Sequence, residues 1–143
     1  MVNYFIVETK ILFKNRRECT NWIKSVVIEE GNDSPKKVGD ISVIFCSDEY
    51  LLNINKQYLS HDYYTDVITF DNSEGKILSG DIFISTDTVR SNSKIFKQEF
   101  STELNRVIIH GVLHLLGYDD QTKRQTKVMR AKEDYYLSKR KSL

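Results

Sequence analysis

Two of the three histidines in the chain, His110 and His114, stand four residues apart in a stretch that is otherwise almost wholly apolar. Leu104, Val107, Ile108, Ile109, Val112, Leu113, Leu115 and Leu116 cover nearly every face of a helix from residue 101 to 116, and such a helix is buried. The i, i+4 spacing stacks both imidazoles on one side of it, about 6 Å apart along the axis, where they can converge on one ion. Buried imidazoles need partners, because each unpaired polar group costs on the order of 1–3 kcal/mol. Immediately afterwards, Gly117-Tyr118-Asp119-Asp120 allows the chain to reverse and return a carboxylate toward the histidine face. Two neutral imidazoles and one carboxylate make three protein ligands with an open fourth position, which is the arrangement of a catalytic rather than a structural zinc site. Either Asp119 or Asp120 can be the carboxylate at this point. The plainer alternative is a pair of core histidines bonded to backbone carbonyls. The same donors also match the facial triad of non-haem iron(II), although no segment suggests the cosubstrate pocket that such chemistry needs.

The residue after the first histidine matters as much. In the zinc-peptidase pattern H-E-x-x-H a Glu there serves as general base, whereas this chain has Gly111. A peptidase working in that way is disfavoured.

The elements that must position these groups can be read from caps and periodicity. Asn15 followed by Glu18 reads as an N-cap and its partner, opening a helix that carries Trp22, Ile23, Val26 and Val27 to Gly31. A loop with the only proline, Pro35, leads into a strand over 41–46, and Ser47 caps a helix to about Tyr58. Strands are expected over 67–70 and 81–85, joined by turn-forming residues 71–75. A helix over about 86–96 follows, then the histidine helix with Ser101 as its N-cap and Gly117 as its stop, and a last helix over about 122–136. The expected fold is α+β: a small mixed β-sheet packed against helices, with the metal site at the C-terminal end of a buried helix.

A length of 143 residues has room for one domain, taken as residues 1–143. With 40% hydrophobic and 29% charged residues the chain is globular rather than disordered, and a formal charge of +1 excludes a histone-like polycation while permitting a local basic patch. Cys19 and Cys46 are too few for a disulfide scaffold and read as reduced core residues. There is no leader pattern in residues 1–14 and no apolar run of membrane-spanning length, and Leu143 ends a solvated tail, so a cytoplasmic protein is expected.

His110-Gly-Val-Leu-His114-Leu-Leu-Gly117-Tyr-Asp-Asp120 closely resembles the signature H-G-x-L-H-L-x-G-Y-D-H of the YbeY family of metal-dependent endoribonucleases. Leu52-Asn53 with Tyr58, then Asp62, then Thr65-Asp66-Val67-Ile68-Thr69-Phe70, then Gly80-Asp81-Ile82 resemble that family's L-N-x-x-Y-R-x-x-D-x-P-T-D-V-L-S-F and G-D-I segments in the same order, over roughly residues 40–137. The resemblance implies an α+β fold and one Zn2+ per chain. It implies that His110, His114 and Asp120 are both the metal ligands and the catalytic residues, with Asp119 as a cap or support. It further implies single-strand-specific endoribonuclease activity in ribosomal RNA maturation, including the 3′ end of 16S rRNA, and in ribosome quality control. The expected partners are RNA on the small ribosomal subunit and ribosome-assembly proteins, with neither membrane nor DNA. A second reading is a non-catalytic RNA-binding assembly factor with a structural metal.

Three positions depart from the family pattern: Asp120 stands where a third histidine is usual, Leu59 replaces an arginine, and Tyr64 replaces a proline. Leucine cannot replace the planar fork with which arginine grips a phosphate. His61, Lys56 or a group from elsewhere would have to supply that charge. Asp66 and Asp81, at expected strand starts, are turn acids or supports for the site, and Thr65 either meets substrate or caps a turn. The basic clusters Arg16-Arg17, Lys36-Lys37, Lys123-Arg124 and Lys139-Arg140-Lys141 are solvated faces unless the fold gathers them around the metal cleft. Tyr63, Tyr64, Tyr118, Tyr135 and Tyr136 either pack or stack on unpaired bases.

Overall fold

The computed structural model describes residues 1–32 and 34–140; Asp33 of the proline loop and residues 141–143 of the expected tail lie outside the described residues. Four strands and five helices follow one another as β1 (Val2–Val7), α1 (Arg16–Glu30), β2 (Lys37–Cys46), α2 (Asp48–Leu59), β3 (Val67–Asp71), β4 (Ile77–Ser85), α3 (Thr86–Ile95), α4 (Phe100–Leu115) and α5 (Lys123–Arg140). The sheet order is β1-β2-β4-β3. β1 and β2 run parallel from Val2 opposite Ile41 to Val7 opposite Cys46, β2 and β4 are parallel, and β3 closes the sheet as an antiparallel edge on β4. The fold is therefore α+β with a mixed sheet, as expected.

The connections explain themselves locally. Ser47 accepts a hydrogen bond from the Tyr50 amide and caps α2. The β3–β4 hairpin turns at Gly75, whose φ of +58° suits glycine. At the start of α5, Thr122 accepts from the Gln125 amide while the Gln125 side chain accepts from the Thr122 amide, a reciprocal cap. Two expected caps differ. Asn15 makes no side-chain cap bond, and the N-cap of α4 is Glu99 rather than Ser101, which sits inside the first turn because Phe100 already has helical backbone.

Trp22, Ile23, Val26 and Val27 of α1 join Val43 and Phe45 of β2, Ile82 and Ile84 of β4, and the apolar faces of α4 in one core. Cys19 within it, and Cys46 in a smaller cluster with Leu51 and Ile68, are buried free thiols. The Trp22 indole N–H donates to the Tyr136 carbonyl at 3.0 Å, fastening α5 to α1. Among the described residues, no helix is long and apolar enough to cross a membrane.

Candidate metal centre

The histidine helix α4 lies directly on the sheet. A Cβ added to Gly111 would sit 2.6 Å from Cγ2 of the buried Ile82 on β4, so only glycine allows this approach. With residue 111 against the sheet, His110 and His114, about 100° and 60° round the helix from it, line a cleft with a fifth to a quarter of each side chain accessible. Gly117 then takes a φ of +104°, and the chain turns back over the helix end.

That turn delivers Asp120. Its Oδ2 lies 3.3 Å from His110 Nε2 and 3.5 Å from His114 Nε2, and the two Nε2 atoms are 3.0 Å apart. Zinc–ligand bonds of about 2.0–2.1 Å in a tetrahedral shell put neighbouring ligand atoms about 3.3–3.4 Å apart, so the donor triangle has the size a small cation needs. Asp119 plays a different part. Its Oδ1 accepts the Asp120 amide at 2.8 Å, shaping the turn rather than joining the triangle.

The protons on the two rings follow from their other nitrogens. His114 Nδ1 lies 2.9 Å from the Tyr118 carbonyl oxygen, which only accepts, so Nδ1 carries the hydrogen and Nε2 presents a lone pair. His110 Nδ1 lies 2.7 Å from Oε2 of Glu133, which orients it in the same sense. With both rings neutral in this tautomer, two Nε2 lone pairs and a carboxylate oxygen converge on one point, a donor set that fits a divalent metal. Burial pulls the His110 pKa down, but the hydrogen bond and charge of Glu133, helped by Asp120 and Asp66, outweigh it and hold it above its ordinary value.

Glu133 is the functional residue that sequence reasoning missed. It is 4% exposed on α5, and its second oxygen accepts from Arg106 Nη1 at 3.1 Å, while Nη2 of the same guanidinium reaches Asp134 at 2.7 Å. Nothing in its local sequence separates it from neighbouring helix acids. A second, half-buried carboxylate works at longer range: Glu30, at the end of α1, accepts from the hydroxyls of Tyr118 and Tyr136 and from Lys132 Nζ, so it holds the segment whose carbonyl orients His114.

The cleft in front of the triangle is a cavity of about 640 Å3. It is lined by Leu59, by His61, Tyr63, Thr65 and Asp66 from the loop after α2, and by Asp119 to Gln121. Burial pushes the Asp66 carboxyl up against the pull of His110. Asp81, by contrast, lies within β4, paired with Phe70. Among the described residues that line the cavity there is no Lys or Arg, while Asp66, Asp71, Asp119 and Asp120 all do. No described member of the basic clusters lines this cavity: Arg16 and Arg17 line a pocket with β1 residues, Lys36 lines one with Gly117 and Tyr118, Lys139 pairs with Glu29 and Arg140 lies over Trp22. Lys56 is engaged with Asp62 at 3.4 Å. Arg106 and Arg130 line a second cavity of about 350 Å3 that also touches His110, Asp120 and Glu133.

An α+β scaffold that presents two tautomerically fixed histidines and a carboxylate at the end of a buried helix defines a protein with a metal-competent centre. Residues 6–141 match the family described as Endoribonuclease YbeY. Among relatives bearing the name Endoribonuclease YbeY, that of Phocaeicola vulgatus is 49% identical over 138 residues, covering 96% of this chain and 97% of the relative. That of Karelsulcia muelleri is 50% identical over 137 residues, covering 96% and 94%. A solution structure of a Thermotoga maritima protein is similar at a TM-score of 0.65 and 28% identity, over 96% of this chain and 88% of the other. The chain belongs to the Endoribonuclease YbeY family.

Proposed function

We propose that residues 1–143 act as one unit, a cytoplasmic, single-strand-specific, zinc-dependent endoribonuclease in ribosomal RNA maturation, working on the small subunit at the 16S 3′ end and in ribosome quality control. The observation that carries the catalytic part is the convergence of His110 Nε2, His114 Nε2 and Asp120 Oδ2 at the edge of an open cavity. These three side chains are proposed to hold one Zn2+. Bound there, zinc supplies Lewis acidity toward a phosphoryl oxygen of the RNA.

The chain's own groups do the rest. Glu133 and the Tyr118 carbonyl keep both Nδ1 protons in place, so the Nε2 lone pairs stay aimed at the cavity. Asp66, which lines the same cavity, has its carboxyl pushed up by burial against the pull of His110. Family membership and the open cavity favour this reading over a structural metal in an assembly factor, since a structural site uses all four positions for protein ligands. The test is elemental analysis of purified protein together with cleavage of a single-stranded RNA, before and after chelation and zinc return. One zinc per chain with chelator-sensitive cleavage is expected; cleavage unaffected by complete metal removal would overturn the proposal.

A further inference from the structure

Resting on the endoribonuclease reading, we propose that His61 and Tyr63 form a nucleobase subsite in the wall of the metal cavity, where an unpaired base of the RNA stacks during cleavage.

The charge of the cavity comes first. Four aspartates and no lysine or arginine among its described lining residues make the cavity a poor place for phosphates away from the donor triangle. The uncharged part of a nucleotide is its base, and a base is recognised by flat aromatic faces. His61 and Tyr63 offer such faces: their rings lie 5.1 Å apart at an interplanar angle of 21°, both are exposed, and the Tyr63 hydroxyl is 3.0 Å from His61 Nδ1.

The pair is also held in place. Ser60 ends α2 with a φ of +56°, a left-handed conformation that turns the chain sharply into the cavity wall. The His61 amide donates to the Asn55 carbonyl at 3.1 Å, and the Asn55 side-chain amide donates to the Tyr63 carbonyl at 2.8 Å. Asn55 is 1% exposed, so one buried residue of α2 grips both members of the pair. Lys56 and Asp62 add an ion pair across the same turn. A preorganised aromatic surface binds without first losing loop entropy. A base inside a duplex cannot reach it, which confines the subsite to single strands.

The experiment uses zinc-loaded full-length protein and two fluorescent probes: a single-stranded 2′-O-methyl oligoribonucleotide, which resists cleavage, and an abasic chain of equal length and phosphate count. The parent should bind the base-bearing probe about tenfold or more tightly than the abasic one. His61→Ala and Tyr63→Ala should each lose most of that preference at unchanged zinc content and unchanged abasic affinity, and Tyr63→Phe should keep it. Variants that bind both probes as the parent does, or that weaken both equally, overturn the subsite. Parent protein that cuts unmodified single-stranded RNA while the variants show no base-selective loss sinks the subsite alone. Zinc-loaded parent that neither binds nor cuts RNA sinks it together with the nuclease reading.

Discussion

Glu133 and His110 are joined by a 2.7 Å hydrogen bond between helices α5 and α4, spanning 23 positions of sequence. The bond orients a ring that lies at the end of one helix from the middle of another. Docking of α5 and correct presentation of the first histidine are therefore one event.

His110→Ala or His114→Ala should reduce zinc content to near zero while the far-ultraviolet circular dichroism stays close to that of the parent. Asp120→Asn should weaken zinc binding more than Asp119→Asn, because Oδ2 of Asp120 completes the donor triangle and Asp119 only accepts a turn amide. Competition with a zinc-binding dye measures both, and the reverse order would make Asp119 the third ligand.

Glu133 sets a pH dependence. A proton on His110 competes with the metal, and since the His110 pKa is held above its ordinary value, zinc loading should fall on acidification from a point above about pH 6.5. In Glu133→Gln the pH at which zinc affinity begins to fall should move lower, while the alkaline plateau of affinity drops about 10- to 100-fold through poorer ring orientation. In the metal-free protein the sign is opposite for stability. The His110–Glu133 contribution is full below about pH 6.5 and is lost as the pH rises through the raised folded-state value, which thermal melts across pH should record for the parent and not for the variant.

Gly111→Ala should destabilise the protein by about 1–3 kcal/mol despite alanine's better helix propensity, because the new methyl meets Ile82 at 2.6 Å in a closed core. The pair Gly111→Ala with Ile82→Ala should cost less than the sum of the two single changes, since the second removes the atoms the first collides with. Urea unfolding of the four proteins closes the cycle.

Burial pushes the Cys46 thiol up to about 12, with Asp48, Asp87 and Glu8 adding to it. Folded protein at pH 8 should therefore leave Cys46 unmodified by iodoacetamide, and alkylation should appear only on unfolding. Peptide mapping by mass spectrometry reads this directly.

The parts of the molecule with local causes were legible in the sequence. The α4 histidines announce themselves by being polar in an apolar run, Ser47 by its capping position, and Gly117 by standing where a helix must stop. Glu133, Glu30 and Asn55 were not legible, because each resembles any polar residue of its helix and acquires a role only when a distant segment packs on it. β1 was hidden for a related reason: six residues with no flanking turn marks become a strand through parallel pairing with β2, 39 positions away from Val2 to Ile41. The basic clusters follow the plainer expectation of solvated faces, since none of their described members lines the metal cavity.

Gly111 also limits what this helix can become. Position 111 is one helical step, about 100°, from His110, and it faces Ile82 rather than the cleft. A glutamate substituted there would carry its carboxylate into the sheet, not toward the donor triangle. Single substitutions along α4 thus cannot convert the centre to the peptidase type, however similar the spacing of its histidines. The room for new chemistry lies instead in residues 60–64, whose exposed side chains can change without disturbing the core.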